Sequence, residues 1–310
     1  MNHDETQAGV IRIGDDVAEA LAESRPIVAL ESTIFSGLGL PNPANRECLS
    51  LCYAAIRDGG AVPALTAVVD GSAWVGVGDD LLSRVLSGSN KVAARDLPHA
   101  VATGLDVGVT TVSASITLAA KAGVEVFTTG GIGGVHRGSD SSGDISHDLT
   151  ALARHRVVTV SAGAKAFLDL ARTLEHLETL GVPVVGWNTD RFPAFYVRDS
   201  GFPVPATANS GEEIATVLRS AAALGHPGGV LVANPIPESA ELDRDRIEAA
   251  LDAALAEVAG RRLSGPAVTP VMLAAIAAAT EGDSVPANLA LAENNAVVAA
   301  EIAVALRRLG

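Results

Sequence analysis

Lysine is nearly absent from this chain of 310 residues: of its 22 lysines and arginines only Lys91, Lys121 and Lys165 are lysine. Arginine stands almost wherever a cation suffices, so the remaining amines raise a chemical question. A lysine can lose its proton and attack a carbonyl, whereas arginine stays charged. Cysteine is equally scarce. Cys48 and Cys52 fall four apart in a stretch with helical periodicity, where they read as two small residues on one helix face. A structural zinc site needs four ligands, and no second Cys/His pair is spaced to complete one. The two thiols fit a reducing, cytoplasmic setting. Positive charge is in deficit: the formal net charge is −14 and the pI about 4.8. That argues against nucleic acid or an anionic membrane as a main partner, and leaves room for a local positive pocket around a small anion. No run approaches the ~20 uninterrupted apolar residues of a membrane span. The polar, acidic start from Met1 to Gly9 lacks the basic-then-apolar order of a secretory signal.

What the chain does have is an apolar share of 48%, enough for a large core. At about 150 residues per domain the length allows two domains, but no linker divides it. Residues 1–9 are expected to form a flexible tail and 10–310 one domain. Short apolar runs at 27–31, 124–128, 157–160, 183–186 and 229–233 read as buried strands. Residues 66–70 and 73–77 read as a strand pair around Asp70-Gly71, and 91–95 as a further short strand. Helical patterns cover 45–58, 110–122, 144–153, 171–180 and 212–224, a short one runs from Asp79 to near Gly88, and three more close the chain at about 243–259, 269–281 and 286–308. This alternation predicts a three-layer α/β/α sandwich around a mainly parallel, mixed central sheet. Ligands of such sheets sit beyond the C-terminal ends of the strands. Glu31, Thr129 and Lys165 therefore fall near one rim.

Four segments carry chemistry. Residues 128–138, Thr-Thr-Gly-Gly-Ile-Gly-Gly-Val-His-Arg-Gly, place four glycines within five positions after a strand. Backbone N–H groups in such a loop can approach an anion closely. It is not a dinucleotide fingerprint, since His136 stands where the last glycine belongs, and no Gly-Lys-Ser/Thr follows to make a P-loop. A phosphate-binding loop with His136 and Arg137 as donors, or a structural turn, remains. Asp144 and Asp148 share a face if 144–153 is helical. Asp144 is then either a ligand for a hard divalent cation or a helix cap. Glu31 closes an apolar strand, where a carboxyl must be paired or protonated; it is a general acid or a salt-bridging residue. Lys165 follows a small-residue turn at the end of an apolar run, as a reactive amine or a surface lysine.

Taken together, these segments resemble the pseudouridine-5′-phosphate glycosidase family. The residues that carry the resemblance are 28–34 (Val-Ala-Leu-Glu-Ser-Thr-Ile), 91–98 (Lys-Val-Ala-Ala-Arg-Asp-Leu-Pro), 129–138, 144–149, 161–165 (Ser-Ala-Gly-Ala-Lys), 186–196, 200–202 and 229–237. It runs from about residue 10 to 308. The resemblance implies an α/β/α homotrimer that reversibly cleaves the C–C glycosidic bond of pseudouridine 5′-phosphate to uracil and ribose 5-phosphate, with Mn²⁺ or another divalent cation, in pseudouridine catabolism. It implies Lys165 as nucleophile, capturing the opened sugar at C1′ as a Schiff base, and Glu31 as proton donor. It implies Asp144 as the link to the metal. Lys91, Val112, Ser146, His147 and Asp148 would contact the substrate, with Thr129 and His136 in the binding loop and Asn288 toward the base. Ala94, Asn42, Ala44 and His147 depart from the family pattern. Two rival readings keep the loop but not the pyrimidine: a Schiff-base aldolase acting on another sugar phosphate, and a non-catalytic sugar-phosphate sensor.

Overall fold

A computed structural model describes residues 9–260 and 268–309; most of the tail expected at 1–9 lies outside them. The strands are β1 Ile11–Ile13, β2 Ile27–Leu30, β3 Val62–Val69, β4 Ser72–Val75, β5 Lys91–Val92, β6 Val107–Thr110, β7 Val126–Thr128, β8 Val158–Ser161, β9 Val184–Trp187, β10 Ala206–Ala208 and β11 Val230–Ala233. The helices are α1 Asp15–Ala22, α2 Ala44–Asp58, α3 Asp79–Leu86, α4 Leu97–Ala102, α5 Val112–Lys121, α6 Ser139–Ser142, α7 His147–Arg154, α8 Leu170–Thr179, α9 Gly211–Ala223, α10 Arg244–Gly260, α11 Val268–Ala279 and α12 Ser284–Leu309.

The expected three-layer architecture is present. β3-β2-β7-β8-β11-β9-β10 form an all-parallel sheet. Its inner strands are buried and mainly apolar because both faces are covered, while β10 at the edge is largely exposed. α12 packs over β2, β7 and β8 with α2 and α9 beside it, and α5 covers the other face together with α7. β3 is the exception to a simple layer. Val62–Leu65 pair with β2 in parallel, while Thr66–Val69 pair antiparallel with β4 and, from Ala67, with β6. β3 thus also belongs to a small mixed sheet, β1-β4-β3-β6-β5.

Several elements differ from the sequence expectation. β1, β6, β10, α1, α4 and the single turn α6 are additional; the three strands have only three or four residues, too short for a period to show. Residues 91–95 make a two-residue strand followed by a 3₁₀ turn over Ala94–Asp96. The helix expected at 110 begins at Val112, because Thr110 ends β6. The helix expected at 144 begins at His147, where Ser146 caps it by accepting from the Asp148 N–H at 3.2 Å. Asp144 and Asp148 therefore do not share a helix face. Cys48 and Cys52 are both buried on α2, as the spacing implied. α12 is long and apolar enough to cross a membrane by length and composition, but 67% of its most apolar window is buried within the protein. It is a core helix of the sandwich, packed on the sheet.

Candidate active site

Parallel strands deliver their C-terminal ends to one rim, and there the chain assembles its functional groups. Glu31 follows β2 directly, Thr129 follows β7, and Lys165 lies four residues beyond β8. Beneath Glu31 is a buried hydroxyl network at the point where β3 changes sheets. Thr66 Oγ1 donates to the Leu30 carbonyl at 3.0 Å and lies 2.8 Å from Thr110 Oγ1. Ser32 Oγ accepts from the Thr110 N–H at 2.8 Å, and Thr33 Oγ1 donates to the Thr110 carbonyl at 2.7 Å. These bonds tie the ends of β2 and β6 to the middle of β3, so the turn bearing Glu31 starts from a rigid base.

Glu31 is itself buried, and its carboxyl accepts a short hydrogen bond from the Thr129 hydroxyl. Its pKa is raised above the ordinary glutamate value, chiefly because burial penalises the charged form; the Lys165 ammonium, the Thr129 bond and Lys91 oppose that, and Asp148 adds to it. Lys91, in β5, has its pKa lowered, first by burial and then by repulsion from Lys165. Two of the three lysines of the chain thus face one buried carboxyl.

The glycine loop runs from Thr129 and is interlocked with the Lys165 segment. Ile132 donates to the Gly163 carbonyl at 3.1 Å, and Lys165 donates to the Ile132 carbonyl at 3.0 Å. Asp148 fastens the loop from the other side. One carboxylate oxygen accepts from the Gly133 N–H at 2.9 Å and the other from the Ser113 N–H at 2.8 Å, capping the start of α5. A Cβ at Gly133 would lie 2.3 Å from Ser146 Oγ and 2.8 Å from Asp148 Oδ2. Gly133→Ala is therefore expected to lower stability by about 1–3 kcal/mol through overpacking, read as a fall in the denaturant midpoint. An unchanged midpoint would show that the clamp yields freely.

Two cavities meet at this rim. A polar one of about 510 Å³ is lined by Lys91, His136, Asp144, Ser146, His147 and Asp148. An apolar one of about 410 Å³ is walled by Ile34, Leu38, Leu40, Phe195, Tyr196 and Val285, with Thr129 and Asn288 among its polar groups. Glu31, Thr33, Lys165 and Phe167 line both. Phe195 adopts a positive φ of 66°, a strained state for a bulky residue, and its ring fills the place a side chain at Gly131 would take. Asn288 donates to the Tyr196 hydroxyl at 2.8 Å, orienting the pair at the apolar end.

Most of the residues singled out from sequence converge here: Lys165, Glu31, Lys91, Thr129, His136, Asp144, Ser146, His147, Asp148 and Asn288 all line one cavity or the other. Val112 does not. Its side chain is in the hydrophobic core, and its neighbours Thr111 and Ser113 line the polar cavity instead. Arg137 opens into a separate groove beside Arg244. Burial lowers the His136 pKa against the pull of Asp144, whose Oδ2 lies 3.8 Å from His136 Nδ1. Among the described residues no group of three or more His, Cys, Asp or Glu could hold a metal. The partly exposed Asp144 carboxylate fits a hard cation that keeps most of its waters, as Mg²⁺ and Mn²⁺ do. Tyr196, Phe195 and Thr33 lie in segments that carry the family resemblance, but the sequence assigns them no site role, because the apolar cavity is assembled from segments far apart in the chain.

The family described as Indigoidine synthase A like protein matches residues 16–305. A pseudouridine-5′-phosphate glycosidase of Methylobacterium nodulans is 49% identical over 94% of this chain and 87% of its own length. One of Caldanaerobacter subterraneus is 48% identical over 96% and 97%. Among solved structures, a prealnumycin C-glycosynthase in complex with ribulose 5-phosphate superposes with a TM-score of 0.89 at 39% identity, covering 97% of this chain and 98% of that one. An indigoidine synthase A-like protein of Thermotoga maritima gives 0.87 at 35%, covering 97% of each chain. With that match across nearly its whole length, the chain belongs to the Indigoidine synthase A like family of enzymes.

Proposed function

We propose that the protein cleaves, reversibly, the C–C glycosidic bond of pseudouridine 5′-phosphate, giving uracil and ribose 5-phosphate. The observation that carries this reading is the junction: an amine, Lys165, and a buried carboxyl, Glu31, stand where a polar cavity meets an apolar one. A pentose phosphate suits the polar side, with Lys91 and the glycine loop near its anion; a flat pyrimidine suits the aromatic side, with Asn288 and Tyr196 able to address its polar edge. The bond between the two halves then lies at Lys165 and Glu31.

Ordinary glycosidases protonate a leaving oxygen or nitrogen, but a carbon leaving group has no lone pair to accept that proton. Lys165 solves this by adding its neutral nitrogen to C1′ as the C1′–O4′ bond breaks: the ring oxygen leaves with a proton as the C4′ hydroxyl, the nitrogen gives one up, and its lone pair then drives the C–C cleavage. The C–C bond pair departs with the uracil carbon, Glu31 supplies that carbon's proton, and C1′ remains joined to the lysine nitrogen as an imine. Water then releases ribose 5-phosphate and restores the amine. Burial favours the neutral, proton-carrying form of Glu31, as a general acid requires. A divalent cation such as Mn²⁺, held through Asp144 and waters, would supply positive charge for substrate oxygens. As the reading of the family resemblance, the enzyme acts in the cytoplasm as a homotrimer, which sedimentation would check.

The test is uracil release from pseudouridine 5′-phosphate, followed by ultraviolet absorbance with and without added Mn²⁺. Release that rises with the metal supports the reading; none under either condition, in either direction of the reaction, overturns it.

A further inference from the structure

Asn295 stands in the middle of α12, directly after Glu293-Asn294 and before Ala296-Val-Val-Ala299, and is completely buried. Its Nδ2 donates to the Thr129 carbonyl at 2.8 Å, with the Gly130 carbonyl at 3.4 Å. Its Oδ1 accepts from Asn234 Nδ2 at 2.9 Å, and Asn234 is buried just past β11, its own N–H donating to the Ser161 carbonyl at 2.8 Å. A buried amide is costly unless its hydrogen bonds are made; here the donor is spent on the Thr129–Gly130 turn and the acceptor on Asn234. The Thr129 N–H donates to the Val160 carbonyl at 3.1 Å, so its backbone is held from both sides. Threonine is stiff at χ1; a fixed backbone therefore aims the hydroxyl, and that hydroxyl donates to Glu31. Asn288, seven residues earlier on the same helix, reaches Tyr196 in the apolar cavity. One helix thus braces both the aromatic chamber and the support of the carboxyl.

We propose that Asn295, backed by Asn234, is a positioning residue for Glu31: it fixes Thr129 so that the threonine hydroxyl holds the carboxyl at the junction of the two cavities. The proposal rests on the reading of Glu31 as proton donor.

The experiment is a double-mutant cycle of Asn295→Leu and Thr129→Val in the full chain, with circular dichroism confirming the fold. Asn295→Ala, which removes the donor without adding bulk, takes the place of the leucine variant if that does not fold. Asn295→Leu is expected to lower kcat roughly tenfold with KM within about twofold, as small misplacements of reacting groups do. In the Thr129→Val background the same change should cost less than about twofold, because the two act as one unit. A second readout needs no turnover: isotope-edited infrared titration of the Glu31 carboxyl, which faces Lys165, Lys91 and Asp148. Both single variants should move it upward, and the double variant no further. Losses that multiply, a KM change as large as that in kcat, or an unmoved carboxyl titration would overturn the proposal. Should the parent enzyme release no uracil, the assigned reaction fails while the infrared titration still decides the role of Asn295.

Discussion

Replacing Lys165 by arginine will abolish turnover, with an expected loss in kcat on the order of 10³-fold or more, the scale on which nucleophile removal acts. Arginine keeps the charge and approximate length of the side chain, so the electrostatic support given to Glu31 survives while the chemistry does not. A guanidinium stays protonated and cannot form the imine. The fold should tolerate the change, because Lys165 is only part-buried at the meeting of two cavities and its anchoring to Ile132 is through the backbone. Borohydride added to the parent enzyme during turnover reduces the imine to a stable secondary amine, and mass spectrometry should find the ribose phosphate on Lys165. An adduct on another residue, or an arginine variant of full activity, would falsify the assignment. Lys91→Arg provides contrast: its place in the polar cavity asks for positive charge, so part of the activity should remain.

Glu31→Gln is expected to act in two directions at once. Activity should fall by about 10²–10⁴-fold, the usual contribution of a general acid. Stability should rise, and its pH dependence identifies the cause. Burial raises the Glu31 pKa in the folded protein above its value in the unfolded chain. Below both values the carboxyl is protonated in either state, and its full contribution to stability is present. As pH rises through the unfolded value and then the folded one, the unfolded chain gives up its proton first and folding loses that contribution. Glutamine never ionises and keeps a hydrogen-bonding carbonyl for Thr129. Thermal midpoints of the two proteins, measured from acid to neutral pH, should therefore diverge in favour of the variant. A gap that does not depend on pH would mean that Glu31 is a structural group and not a poised acid.

The reach of sequence reasoning follows from how local each feature is. β8, β9 and β11 are buried on both faces and stand out as apolar runs; β1 and β10 lie at sheet edges with three residues each, where no period can develop. Glu31, Thr129 and Lys165 are legible as one rim because strand ends of a parallel sheet coincide. The spacing of Asp144-Ile-Ser-His-Asp148 is that of one turn and predicts a helix already at Asp144. The deciding choice is made by Ser146, whose hydroxyl caps the helix two residues later. The double role of Asp148, on Gly133 and Ser113, joins positions far apart in sequence and leaves no local trace. Asn295 leaves no clear trace either: it follows Glu293-Asn294 and reads as part of a polar patch, and only the fold shows that its side chain is buried and which carbonyl it addresses.

The sharing of β3 between two sheets makes Thr66 a mechanical joint. Residues on its N-terminal side hang from β2, those on its C-terminal side from β4 and β6, and its hydroxyl reaches the Leu30 carbonyl immediately before Glu31. Partial opening of the small outer sheet, which carries Lys91 on β5, therefore loosens the seat of the carboxyl while the parallel sheet is still intact. On gradual heating, catalysis would fade in advance of global melting, and the first backbone amides to lose protection from solvent would be those of β5 and β6.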